Sequence, residues 1–158
     1  VVNKLLTGPQ TDDVALLLAR PHALGADRVA SWDLPTDPAI VSSARELAVR
    51  QLLGWGLEDL AMTTELVVSE LVTNAIRHGT APVRLRMIRH DKLICEVSDA
   101  SNTSPRMGHA RTTDEGGRGL FLVAQTTRRW GTRYTRAGKI IWAEQDLPSR
   151  AGADGPGA

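Results

Sequence analysis

The chain has 158 residues and a nearly balanced charge, with 19 lysines and arginines against 18 aspartates and glutamates. That length suits one compact domain, and a net charge of +1 argues against a nucleic-acid-binding face, which needs a clear basic excess. A single cysteine, Cys95, excludes an internal disulfide framework and a multi-cysteine zinc site. No apolar run approaches the roughly 18–20 residues that cross a bilayer and no signal peptide is visible, so we expect a cytoplasmic protein without membrane contacts.

The amino-terminal residues indicate a junction between two domains. Residues 13–20 form a strand-like apolar run that has no earlier partner in the chain, so we expect the chain to be a piece of a longer protein. Residues 21–28 contain proline and glycine, which predicts a linker. We expect the main domain over 29–147 and a disordered tail over 148–158, whose glycines and alanines bury too little to order themselves.

The main domain is predicted to begin with a strand and a helix. Residues 29–34 alternate in polarity as a short strand does. Asp37 can cap the helix that follows, and Pro38 suits its first position, where a missing N–H costs nothing. The apolar spacing predicts this helix over 38–53, and we expect Gly54 to end it.

A second helix is predicted over 57–77, because its apolar residues form one continuous arc, and Gly79 is expected to end it. Glu70, Asn74 and His78 lie four residues apart on this helix and therefore stack along one face. An amide oxygen and a carboxylate suit a magnesium–phosphate site, since the amide can ligate the cation and the carboxylate can accept a proton. Ordinary packing or capping explains the same spacing, so both interpretations stay open.

The second half of the domain is predicted to contain two hairpins, a long polar loop and a third helix. The elements are strands over 83–90, 93–98, 130–135 and 139–145, the loop over 100–117 and the helix over 119–128. A loop of this length inside a compact domain is usually functional or disordered. The predicted fold class is an α+β two-layer sandwich, a mixed β-sheet with helices on one face.

Two polar motifs flank the loop. Asp99 ends a predicted strand, where its carboxylate could accept a hydrogen bond from an exocyclic amine, although a simple Asx-turn is the common alternative. Residues 116–120 precede the third helix, where glycines let backbone N–H groups approach a phosphate and Arg118 could add a charge-assisted hydrogen bond. A glycine-rich hinge explains that motif equally, since its spacing matches neither the P-loop nor the dinucleotide fingerprint.

Taken in chain order, these motifs resemble those of the GHKL (Bergerat-fold) ATPases, and most of all the anti-sigma-factor serine/threonine kinases. Residues 65–79 (ELVVSELVTNAIRHG) resemble the N box of that family, 97–99 (VSD) its first glycine box and 115–120 (EGGRGL) its second. The sequence departs from the family pattern after Asp99, where Ala-Ser-Asn follows in place of the usual glycines.

The resemblance implies a Bergerat ATP-binding fold that uses ATP and Mg²⁺. By that resemblance Asn74 would ligate magnesium, Glu70 would be the base that activates a substrate hydroxyl, and Asp99 would recognise the adenine amine. The phosphates would contact Gly117, Arg118, Gly119 and Leu120, with residues 100–116 as the nucleotide lid. The kinases of this family phosphorylate a serine or threonine on a small STAS-type antagonist protein and bind a sigma factor, and a homodimer is compatible with the resemblance.

Residues 8–20 resemble the last strand of the metal-dependent serine phosphatases that control sporulation and stress sigma factors, with Asp12 or Asp13 at a metal-binding position. The expected parent protein therefore joins a phosphatase domain, of which residues 1–20 are the remnant, to the ATPase-like domain. Three functional hypotheses follow: a protein kinase, a non-catalytic nucleotide- or partner-binding module that regulates an attached phosphatase, and a plain ATPase.

Overall fold

The computed structural model describes residues 24–102 and 118–148 of the chain. The predicted phosphatase remnant over 1–20, most of the predicted lid, Gly117 and the tail beyond 148 therefore lie outside the described residues. In the predicted linker, Ala26–Arg28 forms one turn of 3-10 helix directly before the first strand.

Five strands and three helices make up the described part of the chain. In chain order they are β1 (Val29–Leu34), α1 (Ile40–Trp55), α2 (Ala61–His78), β2 (Val83–Arg89), β3 (Lys92–Asp99), α3 (Arg118–Thr126), β4 (Arg129–Thr135) and β5 (Gly138–Asp146). Every element predicted within the described ranges is present, and β1 has the predicted bounds. None of the described helices has the length and apolarity needed to cross a membrane.

The five strands form one sheet in the order β1-β2-β3-β5-β4. All four neighbouring pairs are antiparallel, so the prediction of a mixed sheet is wrong for the described residues. β3 and β4 run in the same direction and are joined through α3, a connection that would suit a parallel pair. They are not neighbours, because β5 lies between them and pairs antiparallel with both. The predicted α+β class with helices against a sheet is confirmed.

α2 is the central helix of the helical layer. It packs on β3 and contacts both α1 and α3. Its apolar arc is fully buried against the inward-facing side chains of the sheet, and each such valine or leucine stabilises the fold by about 1.5–3 kcal/mol. The buried residues of this interface include Val67, Val68, Leu71 and Val72 from α2 and Leu85, Met87, Leu93, Cys95, Val97 and Ile141 from the strands.

The bounds of α1 differ from the predicted ones for a local reason. α1 continues past Gly54 to Gly56, which adopts a left-handed conformation with φ of 65°. The N–H of Gly56 donates to Leu53 O and the N–H of Leu57 donates to Leu52 O, so the last carbonyls of α1 are satisfied by a Schellman motif. At the other end α1 begins at Ile40, two residues after the predicted start, and its N-cap is Ala39, not Asp37, with no side-chain hydrogen bond capping the helix. The Asp37 carboxylate accepts a hydrogen bond from the Ala39 N–H at 2.9 Å in the turn before the helix.

Candidate functional site

The polar edge of α2 lies beside the start of α3. Glu70 and Asn74 are half-buried and one helical turn apart. A Cβ atom placed on Gly119 would overlap the Glu70 carboxylate, so a side chain at this point of α3 would displace the end of Glu70. The structure therefore brings together Glu70 and Gly119, two residues that the sequence analysis selected from motifs nearly 50 positions apart along the chain.

These side chains line a narrow cleft between the two helices, which we call the helix cleft. Its volume is about 30 Å³, and it is lined by Glu70, Thr73, Asn74, Arg77, His78, Gly119 and Leu120. One water molecule needs roughly 10–15 Å³ of such space, so the cleft has room for about two. The enclosed space is smaller than a phosphate chain.

Asn74 carries an unusual atom in this cleft. Its Oδ1 is buried and has no hydrogen-bond partner, although buried polar side-chain atoms are nearly always paired. A neutral, buried amide oxygen without a partner fits a Mg²⁺ ion, which takes oxygen ligands and usually keeps waters and substrate phosphates as the remainder of its shell. The described residues contain no cluster of three or more His, Cys, Asp or Glu that could hold a metal without such help.

A second group of polar residues lies at the adjacent strand ends, and we call Gly79, Asp99 and Lys139 the strand-end site. Asp99 Oδ1 accepts hydrogen bonds from the N–H of Ser101 at 2.8 Å and of Thr80 at 3.4 Å. The first of these is an Asx-turn, so the simpler interpretation of Asp99 is correct for one of its oxygens. Asp99 Oδ2 is buried and has no hydrogen bond. It remains able to accept one from an exocyclic amine.

Gly79 brings the end of α2 against Asp99. A Cβ atom on Gly79 would lie 2.6 Å from Asp99 Cγ and would overlap the carbonyl oxygen of Ala75. The segment after β3 is also attached to the segment after α2, because the N–H of Ala100 donates a hydrogen bond to Thr80 O at 2.8 Å. Gly79 was expected only to end the helix, which it does, but it also sets the close approach between α2 and Asp99.

A comparison with protein-family models matches residues 34–144 to the histidine kinase-like ATPase domain, over more than half of the chain. The chain belongs to this family. The matched region includes both the helix cleft and the strand-end site. A search among curated proteins found no match.

As a histidine kinase-like ATPase domain, the protein has an ATP-binding, kinase-like function. Among the described residues, two buried side-chain oxygens have no hydrogen-bond partner. They belong to Asn74 and Asp99, which were selected from the sequence as metal and adenine contacts. Leu120 is buried in the core beside the cleft, and Arg118 is the first residue of α3.

Lys139 is the site residue that the sequence analysis missed. It lies opposite Asp99 in the β3–β5 pair and its side chain is only 1% exposed. Its Nζ donates to Ser101 Oγ at 2.9 Å and lies 3.5 Å from Asp99 Oδ2. The alternation of inward and outward residues in β5 could have indicated it, because position 139 lies on the same face of the strand as the buried Ile141 and Ala143. A lysine on the inward face of a strand is rare enough to mark a site.

Cys95 has no place in this chemistry. Burial raises the pKa of its thiol to about 12, with the Glu96 charge adding to the shift. The thiol therefore stays protonated at neutral pH and is a packed apolar group of the sheet.

Proposed function

We propose that this domain is a serine/threonine protein kinase of the anti-sigma-factor type, which phosphorylates a small STAS-type antagonist protein and binds a sigma factor. The observation that carries the proposal is the pair of buried oxygens that accept no hydrogen bond, Asn74 Oδ1 and Asp99 Oδ2, one in each half of a site that also holds the Glu70 carboxylate. The Asn74 oxygen could ligate Mg²⁺, and the Asp99 oxygen could accept a hydrogen bond from the adenine amine.

In the proposed reaction, Glu70 is the general base. The hydroxyl oxygen of the substrate serine bonds to the γ-phosphorus of ATP, the bond from that phosphorus to the bridging oxygen breaks, and ADP leaves. The hydroxyl proton passes to the Glu70 carboxylate. Phosphoryl transfer depends mainly on positioning and charge neutralisation, which Mg²⁺ supplies when it is bound.

The remaining roles follow the same assignment. Asn74 holds the metal and Asp99 accepts a hydrogen bond from the adenine amine. Gly119 and the N-terminus of α3 contact the phosphates, together with Gly117 and Arg118. Arg77 and His78 also line the helix cleft, where basic groups would favour an anion. A link to a serine phosphatase domain and a homodimer remain predictions of the sequence.

A phosphotransfer assay tests this function. The protein is mixed with γ-labelled ATP, magnesium and a small STAS-type antagonist, and labelled antagonist is the expected product. Glu70→Gln should lower the transfer rate by about 100-fold to 10,000-fold, the usual contribution of a general base, while ADP binding stays within twofold. Glu65→Gln is the matched control, because Glu65 lies on the same helix and is exposed.

Two outcomes of this assay would contradict the proposal. Release of inorganic phosphate without labelled protein would identify a plain ATPase. Nucleotide binding with neither transfer nor release would identify a non-catalytic binding module, the hypothesis that the missing glycines after Asp99 suggest. Unchanged transfer by Glu70→Gln would remove Glu70 from the role of base.

A further inference from the structure

We propose that Lys139 is a base-recognition residue, which donates a hydrogen bond to ring nitrogen N1 of adenine while Asp99 accepts one from the exocyclic amine. The inference rests on the proposed nucleotide site and adds a second, donor group to its recognition of the base. It is carried by the geometry of the buried Lys139–Asp99 pair.

The pair is only partly satisfied by its protein partners. The 3.5 Å between Lys139 Nζ and Asp99 Oδ2 is longer than a normal N–H···O hydrogen bond of 2.7–3.2 Å. Asp99 Oδ2 is accordingly without a hydrogen bond. An ammonium group carries three N–H donors, and the contact with Ser101 Oγ uses one of them. Both members of the pair keep unused hydrogen-bonding capacity at a buried position, where unused capacity is costly.

Another buried carboxylate in the same sheet shows that the fold can satisfy such a group. Glu96 is 6% exposed and accepts from Arg86 Nη2 and from Arg133 Nη2, each at 2.6 Å. The loose pairing of Asp99 is therefore a property of the strand-end site and not of carboxylates in this sheet generally. A buried ion pair often adds no net stability compared with apolar residues, so stability alone gives no reason for a lysine at position 139.

The chemistry of adenine matches the unused capacity of the pair. On its Watson–Crick edge, adenine presents the N6 amine as a donor directly beside N1 as an acceptor. A carboxylate oxygen and an ammonium group side by side offer the complementary acceptor and donor. The segment after Asp99 is also fixed by Lys139 through Ser101, which provides an anchor where the family's usual glycines are missing.

The test compares ADP with 1-deaza-ADP, which has a C–H in place of N1, by calorimetric titration in the presence of magnesium. A hydrogen bond to a charged donor contributes about 1.5–3 kcal/mol, so the wild-type protein should bind 1-deaza-ADP at least about tenfold more weakly than ADP. In Lys139→Met this ratio should fall to about one. Lys92→Met is the matched control and should keep the wild-type ratio, since Lys92 pairs with Asp146 at the opposite end of β3.

The ratio of the affinities for ADP and 1-deaza-ADP stays informative even if Lys139→Met is partly unfolded. A smaller fraction of folded protein lowers both apparent affinities by the same factor. If the wild-type protein binds the two ligands equally, or if Lys139→Met keeps the wild-type ratio, the inference is overturned and Lys139 acts only on the position of Asp99. If the wild-type protein binds no ADP at all, the proposed function itself fails.

Discussion

The two halves of the site are built in different ways. The strand-end site rests on paired β-strands, with Asp99 held by two backbone N–H groups and enclosed by Gly79 and Lys139. The helix cleft depends on the contact of α3 with α2 and encloses only about 30 Å³. The comparison shows that the strand-end site is fixed by hydrogen bonds between neighbouring backbone segments, whereas the helix cleft depends on the packing of two helices.

Breaking the buried charge pair should have the largest effect on stability. Asp99→Asn keeps the shape of the side chain but leaves the Lys139 ammonium buried without a counter-charge, which should lower the free energy of unfolding by about 3–5 kcal/mol. The double variant with Lys139→Met removes both charges and should recover part of that loss. Urea unfolding of the two single variants and the double variant measures these free energies of unfolding. If the losses in the single variants simply add in the double variant, the two groups do not interact.

Two glycine substitutions should separate the halves of the site more finely. Gly79→Ala forces a methyl group against the Ala75 carbonyl and Asp99, so we expect a loss of about 1–3 kcal/mol in the free energy of unfolding. Gly119→Ala meets only the end of the Glu70 side chain, which can swing away, so its stability should change by less than about 1 kcal/mol.

The matched control for both is Gly54→Ala in α1, where an added Cβ has open space around it. This substitution should leave the free energy of unfolding unchanged or raise it slightly, because alanine is a better helix former than glycine. The comparison of the two halves would be wrong if Gly119→Ala destabilised the protein as much as Gly79→Ala does. Nucleotide affinity should nevertheless fall in Gly119→Ala, since the added methyl group lies where we propose that the phosphates contact the start of α3.

The effect that is smallest at neutral pH concerns Cys95, a buried residue of β3, the strand that ends at Asp99. Its thiol has a pKa of about 12 in the folded protein against 9.0 for a free thiol. The unfolded chain therefore releases this proton first, and stability should decrease as the pH rises from 9.0 towards 12. Labelling by a disulfide reagent at pH 8 should be as slow as global unfolding. Labelling at the rate of an exposed thiol would show that this part of the sheet opens easily.

The elements of the fold were largely predictable because their signals are local. The alternation of residues 29–34 and the apolar arc of α2 depend on neighbours a few positions apart, and both elements appear as expected. The first turn of the predicted second helix is instead a 3-10 turn over Glu58–Leu60, which delays α2 to Ala61. The order of the strands depends on where β5 inserts, and no local pattern specifies that.

Candidate site residues could be selected from the sequence where they lie within one motif. They could not be selected where they join the site through contacts between motifs. Glu70, Asn74 and Asp99 were selected from their residue types and positions, and their roles stay predictions. Lys139 and Gly79 act through contacts with Asp99 across the sheet and from the end of α2, which the sequence alone does not display. The inward register of β5 was the available signal for Lys139.

We propose that one oxygen each of Asn74 and Asp99 accepts no hydrogen bond from the protein because these oxygens contact a magnesium–nucleotide complex. The most direct measurement is a calorimetric titration of ATP with and without magnesium, on the wild-type protein and on Asn74→Ala, with Gln125→Ala on the exposed face of α3 as control. The account predicts that magnesium strengthens ATP binding in the wild type and the control, and that Asn74→Ala loses this gain, by about tenfold or more in affinity. An unchanged magnesium dependence in Asn74→Ala would contradict it.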